Sequence, residues 1–139
     1  TMIKKILVAF DGSEPSRHAF DIASELAYRF QAKLLLLAVV RPPEPATSLE
    51  LGAVLDDAKE HYAKEFEELR DRTNPKAIDF TTTVEVGHPA EHIVAMAAKE
   101  GCDLIVLGRR GRTAVGRFLL GSTSERVLRF AHCAVTIVK

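Results

Sequence analysis

The chain has 139 residues, of which 47% are apolar and 27% charged, with 19 Lys and Arg balancing 19 Asp and Glu. These values fit one globular domain with a sizeable core. Zero net charge argues against a nucleic-acid binder. The longest apolar run, Leu34–Val40, is far short of the roughly 20 residues a membrane helix needs.

With no signal peptide visible, the cytoplasm is the expected compartment and no membrane insertion is expected. Cys102 and Cys133 read as reduced, buried thiols rather than a disulfide or a metal site.

Along the chain, strand-like and helix-like patterns alternate. Residues 4–10 (KKILVAF) form the first strand, and Asp11-Gly12-Ser13 turns the chain. Ala19, Ile22, Ala23, Leu26, Ala27 and Phe30 then recur at helical spacing, with Ser13 as cap and Pro15 in the first turn. Residues 33–40 form the second strand, and a Pro-rich stretch (41–45) follows it as a loop. A long helix over 48–72 carries the stripe Leu51, Val54, Leu55, Ala58, Tyr62, Phe66 and Leu69, and its many charges mark a solvated face. Residues 80–86 form the third strand. A helix starting near Pro89 buries Ala90, Ile93, Val94 and Ala97 and stops at Gly101. The fourth strand spans 103–107. Ser122 to Glu125 has capping-box spacing and opens a short helix with Val127, Leu128 and Ala131. A fifth strand, Ala134–Val138, ends the pattern.

This alternation implies right-handed β-α-β units, and near-continuous apolar strands imply a sheet covered on both faces. In such sheets ligands bind beyond the carboxyl ends of the strands. Two notable turns lie there. One is Asp11-Gly12-Ser13. The other is the stretch after the fourth strand, GRRGRTAVGRFLLGS, with Gly108, Gly111 and Gly121 at fixed offsets, a hydroxyl at Ser122, and Arg109, Arg110, Arg112 and Arg117. Glycines that admit a close ligand, followed by a helix N-terminus, make an anion site most often used for phosphate.

Two common phosphate motifs are excluded. The dinucleotide fingerprint needs three close glycines after the first strand, and DGSEPS has one. A P-loop needs Gly-Lys and then Ser or Thr. The segment GRTAVGRF places Arg117 and Phe118 there, so the magnesium-binding hydroxyl is missing.

The full spacing, Gly, two residues, Gly, nine residues, Gly-Ser, resembles the nucleotide-binding signature of the universal stress protein family. The resemblance extends to Ala-Phe-Asp-Gly-Ser after the first strand, Val-Glu-Val-Gly-His-Pro after the third, CDLIVLGRRG, and the ending GSTSERVLRFAHCAVTIVK. It implies a single universal stress protein domain over residues 1–139. The implied fold is a Rossmann-like, doubly wound parallel five-stranded sheet of order 3-2-1-4-5, of the adenine nucleotide alpha hydrolase kind.

The resemblance also implies ATP, or ADP or AMP, with or without Mg2+, bound between the first and fourth strand ends. Asp11 would hold the ribose, and Ala9 and Val39 the adenine. Leu107 and Gly108 would line the nucleotide's side. Gly111, Gly121, Ser122 and Thr123 would hold the phosphates. Arg109 is included in this set, and at least one of the four loop arginines is expected to contact phosphate. The implied role is a stress-response sensor or regulator with protein partners.

Each of these residues also has a structural reading. Asp11 and Ser122 could simply cap helices, and the arginines could be solubilising charge. His88 and His92 show no clear carboxylate partner or third ligand and read as surface residues or as residues supporting the site from behind. No nucleophile elbow, zinc signature or carboxylate pair is present, so no catalytic residue is assigned. The alternative function is a weak ATPase or self-phosphorylating phosphotransferase using the same pocket. The last strand is a short, β-branched sheet edge, which is expected to pair antiparallel with a second copy to form a homodimer.

Overall fold

The computed structural model describes residues 2–109 and 120–139. Five strands, β1 (Lys5–Ala9), β2 (Lys33–Val40), β3 (Phe80–Val86), β4 (Leu104–Gly108) and β5 (Ala134–Val138), form one sheet in the order β3-β2-β1-β4-β5. Every pairing is parallel, as the expected 3-2-1-4-5 topology requires.

The helices are α1 (Glu14–Phe30), α2 (Ser48–Thr73), α3 (Pro89–Glu100) and α4 (Ser122–Phe130). The side-chain alternation of the strands divides the core in two. Ile6, Val8, Leu34, Leu36 and Val106 pack with Ala19, Phe20 and Ala23 of α1 and with Tyr62 and Phe66 of α2. On the other face, Leu7, Leu37, Ile105 and Leu107 pack with Ala90, Ile93 and Ala97 of α3 and with Val127 of α4.

The start of α1 follows the sequence signals: Ser13 is its N-cap and accepts from the Ser16 amide, and Pro15 lies in the first turn. Helix α3 stops where Gly101 adopts a left-handed conformation with φ 67°. Helix α4 differs from expectation. Its N-cap is Gly121, with no side-chain capping bond, so Ser122 is the first helical residue rather than the cap.

Three helix faces also differ. On α1, Phe30 is exposed, and the buried aromatic is Phe20. On α4, Leu128 faces outward, with 45% of its surface exposed. On α2, burial begins only at Ala58, while Leu51 is exposed and Val54 and Leu55 are half-buried. The reason is length. The 26 residues of α2 extend about 39 Å. The eight residues of β2 reach about 26 Å. The first turns of α2 therefore run beyond the sheet.

Candidate functional site

The strand order reverses between β1 and β4, so the chain leaves these neighbours toward opposite faces and opens a crevice at their carboxyl ends. A cleft enclosing about 540 Å³, open mouth included, lies there.

Its apolar wall comes from four elements: Ala9 of β1, Leu37 and Val39 of β2, Leu107 of β4, and Pro89 and Ile93 of α3. Its polar side holds Asp11, Ser13 and Ser16 from the β1–α1 turn, and Thr123 and Ser124 from the first turn of α4. An apolar slot with polar groups at one side suits a flat heterocycle that carries a polar tail.

The β1–α1 turn is held by its own hydrogen bonds. The Ser13 amide donates to Asp11 Oδ1 at 2.9 Å, and the Asp11 amide donates to Ser16 Oγ at 3.3 Å. Ser16 Oγ in turn donates to the Ser13 carbonyl at 2.9 Å. Asp11 thus folds its carboxylate back over the turn, and Ser13, not Asp11, caps α1. On the other side, Ser124 Oγ donates to the Gly108 carbonyl at 3.4 Å and ties α4 to the end of β4. Gly121 supplies no side chain to cap α4, so the cleft meets an N-terminus whose amides and dipole favour an anion.

Of the residues expected from sequence, Ala9, Asp11, Val39, Leu107, Gly108 and Thr123 line this cleft together. Arg109, Gly121 and Ser122 stand beside it; the Arg109 amide donates to the Val138 carbonyl at 2.7 Å, which places its backbone against β5. Gly111, with Arg110, Arg112 and Arg117, lies outside the described residues.

Gly108 has a packing role that sequence reasoning missed. A Cβ there would stand 2.5 Å from the Pro15 carbonyl carbon and 2.6 Å from its oxygen. A side chain would therefore push apart β4 and the start of α1. Gly121, with φ −62° and ψ 158°, has a backbone that any residue can adopt, so the turn itself does not demand glycine.

Sequence reasoning also missed Leu37, Pro89 and Ile93 as cleft residues. Ile93 carried a helical burial signal, but nothing local shows that the start of α3 reaches over the strand ends.

His88 and His92 do have carboxylate partners. His92 Nδ1 is 2.7 Å from Glu85 Oε1, and His88 Nε2 is 3.3 Å from Glu44 of the Pro-rich loop. Among the described residues no group of three or more His, Cys, Asp or Glu side chains could hold a metal ion.

Shifted titrations lie at the other end of the sheet. The Asp103 carboxylate accepts from the Lys4 and Lys5 amides at 2.8 and 3.0 Å, which holds its pKa below the usual value. Burial pushes the Cys102 thiol up to about 11 and raises Cys133 as well. These shifts have structural causes and are remote from the cleft.

The model of the universal stress protein family matches residues 2–139. The chain belongs to that family. Universal stress protein YxiE of Bacillus subtilis is 34% identical, with 99% of this chain and all of the relative covered. The structure of UspA from Lactobacillus plantarum superposes with a TM-score of 0.82 at 32% identity, over 99% of this chain and 98% of that one. A universal stress protein solved in complex with cAMP gives a TM-score of 0.78 at 26% identity, over 100% of this chain and 99% of that one. Among the described residues, no helix is long and apolar enough to cross a membrane.

Proposed function

We propose that this universal stress protein binds an adenine nucleotide in the cleft between the ends of β1 and β4. The adenine lies against Ala9, Val39 and Leu107, and the ribose meets Asp11. The phosphates meet Gly121, Ser122 and Thr123 at the start of α4, with Gly111 and Arg109 completing the phosphate side.

One observation carries the reading. A single cleft joins an apolar slot, an acidic turn and a helix N-terminus without a side-chain cap. The structural relative in complex with cAMP supports an adenine nucleotide as the ligand class. ATP, with or without Mg2+, is the form proposed, and ADP and AMP occupy the same slot with fewer phosphate contacts.

The role is regulatory. Nucleotide occupancy changes the surface offered to partner proteins in the cytoplasm. The working unit is a homodimer paired through β5. The edge position of β5 supports this, as do the exposed Leu128 and Phe130 on the preceding helix.

Calorimetric titration with Mg-ATP and with AMP tests the reading. Wild type is expected to bind, Asp11→Ala to lose about tenfold or more in affinity, and Gly121→Val to bind ATP more weakly than AMP. Titrations without heat for either nucleotide would refute it.

A further inference from the structure

The turn carrying Asp11 is braced from behind by two residues outside the cleft. Arg17, in the first turns of α1, donates from Nε to the Gly12 carbonyl at 3.2 Å. Its Nη2 forms a close ion pair with Glu65 Oε1 on α2. One guanidinium thus holds a turn carbonyl with one edge and a helix carboxylate with another, which the planar fork of arginine allows and a lysine ammonium does not.

The pair differs from an ordinary surface ion pair, which contributes little. Glu65 Oε2 is buried and has no hydrogen-bond partner among the described residues. It fits there because of Gly12: a Cβ on that residue would stand 3.2 Å from Glu65 Oε2, and Gly12 has φ +82°, a conformation that side chains disfavour. Glycine at this position serves the turn and also lets the carboxylate close on it.

The same helix is fixed to the end of β1 by aromatic packing. Phe10 lies 6.2 Å, centroid to centroid, from both Tyr62 and Phe66, which flank Glu65 on α2, and the Arg17 guanidinium sits 5.7 Å from the Phe10 ring.

We infer that Arg17 and Glu65 are positioning residues that clamp Gly12 and thereby hold the Asp11 carboxylate in the geometry that receives the ribose hydroxyls. The inference rests on the nucleotide reading above. It assigns α2, which contributes no lining residue to the cleft, a part in ribose recognition.

The test compares wild type with Glu65→Leu, Glu65→Gln and Arg17→Lys. Two readouts are used: amide hydrogen exchange of Ser13 in the ligand-free protein, and affinities for ATP and for 2′,3′-dideoxy-ATP. Ser13 reports the turn because its amide donates to Asp11. Val8, in the centre of β1, reports global folding.

Glu65→Leu and Arg17→Lys are expected to speed Ser13 exchange about tenfold with Val8 unchanged. They are expected to weaken ATP about tenfold while changing the dideoxy nucleotide less than about twofold. Glu65→Gln still accepts from Arg17 and is expected to fall between them and wild type. Unchanged Ser13 exchange in both disruptive variants overturns the clamp, as does an equal loss for the two nucleotides. A wild-type protein that binds neither nucleotide overturns the nucleotide reading and the ribose role with it. The exchange data then decide whether the clamp holds the turn.

Discussion

Gly108→Ala separates a packing role from a ligand role at one position of the cleft. The added methyl carbon would lie 2.5, 2.6 and 2.8 Å from the Pro15 carbonyl carbon, carbonyl oxygen and Cβ. Non-bonded carbons settle at about 3.5–4.0 Å, so β4 and the start of α1 must separate by roughly 1 Å. Two of the three atoms are backbone, and Pro15 lies in the first turn of a helix already fixed by its Ser13 cap, so no flexible side chain can absorb the shift.

Overpacking of this kind costs about 1–3 kcal/mol. For a domain of this size, each kcal/mol lowers the melting temperature by roughly 3–5 °C. Thermal unfolding without nucleotide, followed by circular dichroism, should therefore show a fall of about 3–15 °C. A midpoint within about 1 °C of wild type, together with lost nucleotide binding, would refute the packing argument and assign this glycine to the ligand alone.

Other consequences are equally direct. Cys102 has its thiol raised from 9.0 to about 11 and is 7% exposed, so at pH 8 its thiolate fraction is about 100-fold below an unperturbed thiol; iodoacetamide should label the more accessible Cys133 first, and equal labelling would contradict the burial. Asp103 has its pKa lowered by the Lys4 and Lys5 amides from an ordinary 3.8. The stability it contributes is present above that value and is lost as pH falls through the lower, folded-state value. Urea midpoints should thus drop below about pH 4 in wild type and drop less in Asp103→Asn, as read by acid-range denaturation curves. Ile137→Glu, placing charge on the edge strand β5, should convert the proposed homodimer to monomer in light scattering; a dimer that persists would remove β5 from the interface.

Much of the fold was legible because the chain states it redundantly. Strands β1, β2 and β4 are near-continuous apolar runs. The bounds of β5 and β3, the Ser13 cap, Pro89 and the Gly101 stop all follow local rules. The stop of α1 does not: Gln31 takes the left-handed conformation, with φ 54°, where glycine is the usual signal. The outer turns of α2 kept a helical stripe without burying it, because a stripe does not reveal how far the sheet beneath it extends.

In the cleft, Asp11, Ala9, Val39, Leu107 and Thr123 were legible through motif and position. Ser122 misled, since its capping-box spacing is shifted by one residue when Gly121 takes the cap. The packing of Gly108 on Pro15 and the reach of Glu65 to Gly12 join residues 93 and 53 positions apart in sequence. No local pattern encodes such contacts; they exist only once β1, β4, α1 and α2 are assembled.

The most direct test of the central claim is a nuclear magnetic resonance titration of the isotope-labelled protein with AMP, followed by ATP. The account predicts saturable amide shifts at Ala9, Asp11, Val39, Leu107 and Thr123, which come from four separate segments, with further shifts at Gly121 and Ser122 when the longer phosphate chain is added. Shifts confined to the opposite end of the sheet, around Lys5 and Lys33, or no saturable shift at all, would contradict it.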